Sequence, residues 1–345
     1  MLNVSICSLM CSLMNIKSHL IQQSFKATKF SLLSSTFSKL TSTVFSSYIP
    51  GSYDISRCSF SHILNSAVKI TDMYLSGETS ISQRNITEPI NVCIDHYGVN
   101  ITQCLFMNCF SNNTGGGLCT TFCVLNMNDT YFIKNNAKYG GGSHCSSLYK
   151  VSCNRNVYYS NSAEYDGGCV FATFEEEKFT YFSDFNLTFN TATMWTGGFR
   201  IDQCGGIFQN SFIAHNNALV CGGFFDFSWY PNHRNVTRTI FLNNTAVARS
   251  GAATAFHIYQ FLNFYLCIFI NNYCEKSANS ISIESIRTTV EIQNCMFSGS
   301  KEEELTIRYE GSQFIEKGVN FYSCTNDQFN ERYFELQQIQ KPKKY

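Results

Sequence analysis

The feature that most constrains this chain is a repeat of 26 to 29 residues. Its plainest copy is residues 125–142 (LNMNDTYFIKNNAKYGGG), with Phe132 as anchor. An apolar residue stands five before the anchor, an Asn three after, an Ala five after, and a Gly pair nine and ten after. The frame returns with anchors Phe106, Phe132, Tyr158, Leu187, Ile213, Phe241, Phe269 and Phe297, spaced 26, 26, 29, 26, 28 and 28, then 28 residues apart. The +3 column reads Asn135, Asn161, Asn190, Asn216, Asn244 and Asn272, and the +5 column reads Ala137, Ala163, Ala192, Ala218 and Ala246. Glycine pairs recur at Gly115/Gly116, Gly141/Gly142, Gly167/Gly168, Gly197/Gly198 and Gly222/Gly223. Columns kept in step over so many units are the mark of a stacked solenoid.

Each unit carries short alternating apolar runs rich in Phe, Tyr, Val, Ile and Thr, bounded by Gly and Asn, which read as strands. No unit holds a helix-length stretch of 3.6 periodicity. The expected fold is therefore all-β: a parallel β-helix of about 27 residues per coil, each strand bonding to its equivalent about 4.8 Å along the axis. Like residues then stack on like. The anchors form an internal stack, the alanines mark a tight interior, and the asparagines form an amide ladder at a turn. The glycines are expected to supply positive φ at a corner.

The same logic sets the expected domains. Residues 28–325 form the β-helix, 1–27 an irregular and only weakly signal-like segment, and 326–345 a C-terminal cap with a basic tail. Residues 329–340 (FNERYFELQQIQ) read as a short helix over the open end, since a solenoid must hide its last unpaired edge. Between Phe60 and Phe106 the register is lost; Val68 and Ile70 resemble a displaced coil, with residues 76–91 as an inserted loop. Charge is balanced, 25 basic against 25 acidic residues, which excludes the basic excess of a nucleic-acid surface. No run of 18 apolar residues occurs, so no membrane-spanning helix is expected.

Seventeen cysteines are present. Cys58, Cys104, Cys267 and Cys295 each stand two before an anchor, which points them inward as small apolar groups. Cys119 and Cys145 each lie thirteen after theirs, which would place them on adjacent coils at disulfide distance. No Cys/His grouping has zinc spacing, so neither a metal nor a cofactor is expected.

The elements Phe132-Ile-Lys-Asn135, Phe241-Leu-Asn-Asn244 and Phe269-Ile-Asn-Asn272 match an FxxN motif, and the Gly-Gly pairs stand where a GGA[ILV] motif would be. Over residues 99–300 the chain resembles the polymorphic outer membrane protein repeat of chlamydiae, also abundant in trichomonad surface proteins. That resemblance implies a right-handed parallel β-helix and a role in adhesion at the cell surface.

Parallel β-helices also carry polysaccharide lyases and hydrolases, which need clustered carboxylates on neighbouring outward strands. The candidates after the glycine pairs are Arg200, Asp202, Asp226, His257, Glu284 and Arg308, but their spacing puts Asp202 and Asp226 on opposite faces. The acidic runs at 175–177 and 302–304 read as solvated loops. The most suggestive feature is the loop Ser228-Trp229-Tyr230-Pro231-Asn232-His233, which interrupts a coil and, with Trp195, holds both tryptophans. Aromatics on loops of a rigid scaffold suit sugar rings or protein hot spots. The expected function is thus a non-catalytic, monomeric, extracellular or cell-surface protein binding glycans or cell-surface proteins, with Trp195, Trp229, Tyr230 and His233 as the ligand loop; the alternatives are a carbohydrate-active β-helix enzyme and a purely structural or degenerate repeat protein. Sequons at Asn85, Asn100, Asn112, Asn128, Asn186, Asn235 and Asn243 permit glycosylation.

Overall fold

A computed structural model describes residues 2–7, 21–22, 27–33, 36–38, 45–47, 52–64, 67–70, 97–121, 123–173, 179–203, 205–228, 233–257 and 261–322. Its strands build four parallel sheets of 12, 11, 11 and 6 strands, and every sheet runs through successive coils in sequence order. The chain is a parallel β-helix. A representative coil passes through Cys123–Asn128 on a long-strand face, Tyr131–Ile133 on the anchor face, Asn136–Ala137 on a narrow alanine face and Ser143–Leu148 on the glycine face. Each strand then pairs with its equivalent one coil on, Phe132 opposite Phe106 and Tyr158, and Phe269 opposite Phe241 and Phe297.

Those pairings line the anchors up inside, where Phe106, Phe132, Tyr158, Leu187, Ile213, Phe241, Phe269 and Phe297 are all fully buried. The rings stack in two runs. Phe106, Phe132 and Tyr158 follow at 4.9 and 4.6 Å, and Phe241, Phe269 and Phe297 at 4.8 and 4.6 Å. Between the runs the anchors shrink to Leu187 and Ile213, and the space is taken by Phe182, Phe185, Phe199, Phe208 and Phe224, in mutual contact. A second, smaller apolar cluster of Ile240, Ile268, Ile270 and Met296 lies apart from this core, with Tyr322 packed on it.

The asparagine ladder runs unbroken from Asn135 to Asn272. Asn161 Nδ2 donates to Asn190 Oδ1 (3.0 Å) and to the carbonyl of Phe132 (2.9 Å), while its Oδ1 accepts the backbone N–H and the amide of Asn135. The pattern repeats through Asn216, Asn244 and Asn272. Buried amides are costly unless fully paired, so each rung fixes the next. A second corner column, two before the anchor, does the same work with mixed residues. Thr130 Oγ1, Ser211 Oγ, Thr239 Oγ1 and the thiols of Cys58, Cys104, Cys267 and Cys295 each donate to the carbonyl two residues back.

Three expectations need correction. The solenoid does not begin at residue 28: Leu2–Cys7 already pairs with Ala27–Leu33, and Ile21–Gln22 with Phe45–Ser47, because the early strands present ladders like any other coil. Of the paired glycines only Gly115 takes positive φ, at 56°. A Cβ on Gly168, Gly198 or Gly223 would meet the next coil's carbonyl oxygen at 2.1 to 2.4 Å, so their role is close approach of backbones. The left-handed corners fall on non-glycine residues such as Asp129, Lys134, Arg155 and Ser160, at φ of 52 to 53°. Finally, in the first of these coils the close-packed pair is Gly116/Gly117, set against Gly141 and Gly142, so that corner is one residue longer than counted. Val68–Ile70 joins the glycine face as a displaced coil, and Asn320–Phe321 closes the last one on Met296–Phe297. The expected inserted loop at 76–91 and the C-terminal cap at 329–340 lie outside the described residues. The single described helix is a turn at Lys301–Glu304, α1.

Candidate functional site

The extra corner residue decides the fate of the expected disulfide. Leu118 pairs with Ser143, so Cys119 stands opposite His144 while Cys145 stands opposite Thr120. A one-residue slip sends a side chain to the other face of a sheet. Cys119 and Cys145 therefore point to opposite sides of the ladder, and both are thiols. Among the described residues there is no disulfide and no group of ligands able to hold a metal ion. No described helix is long and apolar enough to cross a membrane.

Of the expected ligand loop, residues 229–232, including Trp229 and Tyr230, lie outside the described residues. Its base is well defined. Asp226 turns inward, opposite Ile201 and Ala255, and its carboxylate meets Arg234 Nε at 2.9 Å with both side chains fully buried. This ion pair joins the strands Phe224–Ser228 and His233–Thr237. Asp202, one register position on, faces outward, so the two carboxylates take opposite sides as the spacing predicts. His233 is exposed at the head of His233–Thr237, its ring 5.6 Å from that of Phe261.

Trp195 instead joins a constellation that spacing did not reveal. It sits at the glycine corner, its backbone N–H bonded to the carbonyl of Tyr165. The Arg200 guanidinium lies 5.9 Å from the Trp195 ring and 5.7 and 5.8 Å from those of Phe225 and Phe227. Arg249 lies 5.9 Å from the same Trp195 ring and 4.8 Å from Phe256. Carboxylates complete the strip. Arg200 bonds Asp202 at 2.9 Å and Asp166 at 3.3 Å, and Arg308 bonds Glu284 at 3.2 Å, with Arg249 3.8 Å from the same carboxylate. Guanidinium groups held over aromatic faces and by carboxylates are desolvated and pre-organised. Tyr139 and Tyr165, stacked at 4.4 Å, extend the strip along the corner.

Burial shifts two groups here. The Asp166 carboxyl is pushed up to about 6 by desolvation, only partly offset by Arg200, and its Oδ1 is buried with no hydrogen-bond partner. His144, on the same face, is held down to about 4 by burial and then by the charge of Arg200, so it is neutral near pH 7. Residues 174–178, 229–232 and 258–260 lie outside the described residues, the acidic run at 175–177 and the side chain of His257 included. The acidic run at 302–304 departs from the expected solvated loop: it forms α1, and Glu304 is buried against the Ser280 hydroxyl, its carboxyl pushed up to about 7 by that burial.

A shallow groove of about 580 Å³ follows the alanine face past Asn136, Ser162, Lys138, Glu164 and Thr193. Ala137, Ala163 and Ala192 line its floor and stand apart from the hydrophobic core, so the small side chain keeps this outer groove open. Its polar row bonds to itself, Asn136 Nδ2 donating to Ser162 Oγ at 2.7 Å. It gathers no aromatic–arginine set comparable to the strip around Trp195. Compared with known proteins, the chain matches no family model, no curated protein and no solved structure.

Proposed function

We propose that this chain is a non-catalytic, adhesion-type β-helix, acting outside the cell or at its surface, that recognises glycans through the strip around Trp195, Arg200 and Arg249. One observation carries the reading: two guanidinium groups share the Trp195 ring on a rigid outer sheet face, flanked by Asp166, Asp202 and Glu284. Flat aromatics offer a stacking surface to sugar rings, and paired Arg and Asp offer donors and acceptors to their hydroxyls. The resemblance to surface-protein repeats points the same way. The test is binding of the purified chain to a glycan array and to cells. Trp195→Ala and Arg249→Ala should each weaken binding at least tenfold without changing the circular dichroism spectrum. Binding that survives both substitutions would overturn the reading.

A carbohydrate-active enzyme is a second reading, favoured by a single feature. Asp166, raised to about 6, shares Arg200 with Asp202 on the neighbouring coil, an arrangement suited to one protonated and one ionised carboxyl. Release of reducing ends from a polysaccharide, abolished by Asp166→Asn, would establish it over the binding-only reading.

A further inference from the structure

The register that separates Cys119 from Cys145 brings two other cysteine pairs together. Ser59 lies opposite Leu105, so the residues just before them, Cys58 and Cys104, are neighbours on successive coils, and the Leu105 N–H donates to the Cys58 carbonyl at 2.8 Å. Ile268 lies opposite Met296, so Cys267 and Cys295 are likewise neighbours, with the Met296 N–H on the Cys267 carbonyl at 3.0 Å. In the second pair the Cys267 backbone N–H donates to Cys295 Sγ at 3.4 Å. All four side chains are buried at the same inward corner. Neighbouring parallel strands stand about 4.8 Å apart, inside the range of Cα separations that a disulfide spans.

We infer that Cys58–Cys104 and Cys267–Cys295 are two inter-coil disulfide sites, closed when the chain folds against a disulfide donor such as oxidised glutathione. The balance is ordinary thiol–disulfide exchange. The Cys58 thiolate attacks one sulfur of the donor disulfide and expels one glutathione thiol, leaving a mixed disulfide. The Cys104 thiolate then attacks the Cys58 sulfur and expels the second. Two protons and two electrons pass from the cysteine pair to the donor, and the same sequence joins Cys267 to Cys295. Once the coils have docked the exchange is closed off: the thiols are buried, the hydrogen bond with Cys58 and then desolvation push Cys104 above the ordinary thiol range, and desolvation and then the hydrogen bond with Cys295 push Cys267 above it. The redox state is therefore set during folding. At this corner Thr130, Ser211 and Thr239 elsewhere donate the same bond to the carbonyl two residues back that the thiols donate here.

The experiment refolds the full chain from reducing denaturant in a mixture of reduced and oxidised glutathione, then maps disulfides by peptide mass spectrometry without reduction. Peptides joining Cys58 to Cys104 and Cys267 to Cys295, each two hydrogens lighter than the sum of its parts, are expected. Cys104→Ser should remove only the first and Cys295→Ser only the second, with folding retained, because serine already serves at Ser211. A parallel sample folded without oxidant and then exposed to oxidised glutathione should keep both pairs reduced until it is denatured. Alkylation of all four thiols after oxidative refolding, or a dominant Cys119–Cys145 peptide, would overturn the inference. If the chain fails to refold, the same map on material expressed into an oxidising compartment decides between the two results.

Discussion

Replacing Asn216 by Leu removes an amide and keeps the volume close, so it measures what the ladder contributes. Asn216 Oδ1 accepts the Asn190 backbone N–H at 2.9 Å and the Asn190 amide at 3.0 Å, while its Nδ2 donates to the Leu187 carbonyl at 2.9 Å and to Asn244 Oδ1 at 3.0 Å. In the variant, Asn244 Oδ1 keeps its bond from the backbone N–H of residue 216. Two donors lose their partner in a fully buried corner, the Asn190 N–H and one Asn190 amide hydrogen, while the Leu187 carbonyl keeps its strand-ladder pairing and loses only its second bond. Each orphaned donor costs about 1–3 kcal/mol, and with partial relaxation the sum is about 2–4 kcal/mol. Asn217→Ala is the control, an exposed side chain whose one described bond is to Thr245 across the outer face, with an expected change of about 0.5 kcal/mol or less. Urea denaturation gives the global shift. Because long repeat arrays depart from two-state behaviour, hydrogen exchange gives the local one, with protection lost first between the coils of Asn190 and Asn244. A variant no less stable than the Asn217→Ala control would refute the claim that the amides hold the coils in register.

Other outcomes follow from particular contacts. Glu304 holds its proton more tightly folded than unfolded, so its stabilising effect is whole below about pH 4 and is lost as pH rises towards 7; Glu304→Gln should flatten the pH dependence of the urea midpoint across that window. Gly198→Ala should prevent folding or lower the melting temperature sharply, since its Cβ would lie 2.4 Å from the Gly223 carbonyl oxygen, while Gly98→Ala, with nothing within 4 Å, should leave it unchanged or slightly higher. Arg234→Met strands the Asp226 carboxylate in the core and should cost about 3–5 kcal/mol in urea denaturation, much of it recovered by adding Asp226→Leu.

The stacking was legible in the sequence because its columns repeat one residue type. Phe at the anchor, Asn three on and glycine at the corner each answer to a single geometric demand that recurs at every coil. The corner column two before the anchor was legible at Cys58, Cys104, Cys267 and Cys295 but not at Thr130, Asn156 and Ser211, since a hydroxyl, an amide and a thiol can each accept or donate the same bond and leave no common letter. Cys119–Cys145 was misjudged for a related reason: both lie thirteen beyond an anchor, but one extra residue at the Gly115 corner turns the first of them outward. Arg200, Asp202 and Trp195 each stood out separately. Their convergence with Asp166 and Arg249 depends on pairing across successive coils, and Asp166 occupies a column otherwise filled by Thr196, Cys221, Ser250 and Ala278. No periodicity could single out that carboxylate.

In-register stacking of the coils underlies the ladder, the strip and the cysteine pairs alike, and electron–electron distance measurement reads it directly. Spin labels introduced by a non-cysteine chemistry at Asn108 and, in turn, at Ser160, His215 and Asn271 probe one left-handed corner two, four and six coils away. The separations should rise in equal steps to about 10, 19 and 29 Å. Distances that fail to grow with coil number, or that grow in unequal steps, would contradict a single continuous parallel β-helix.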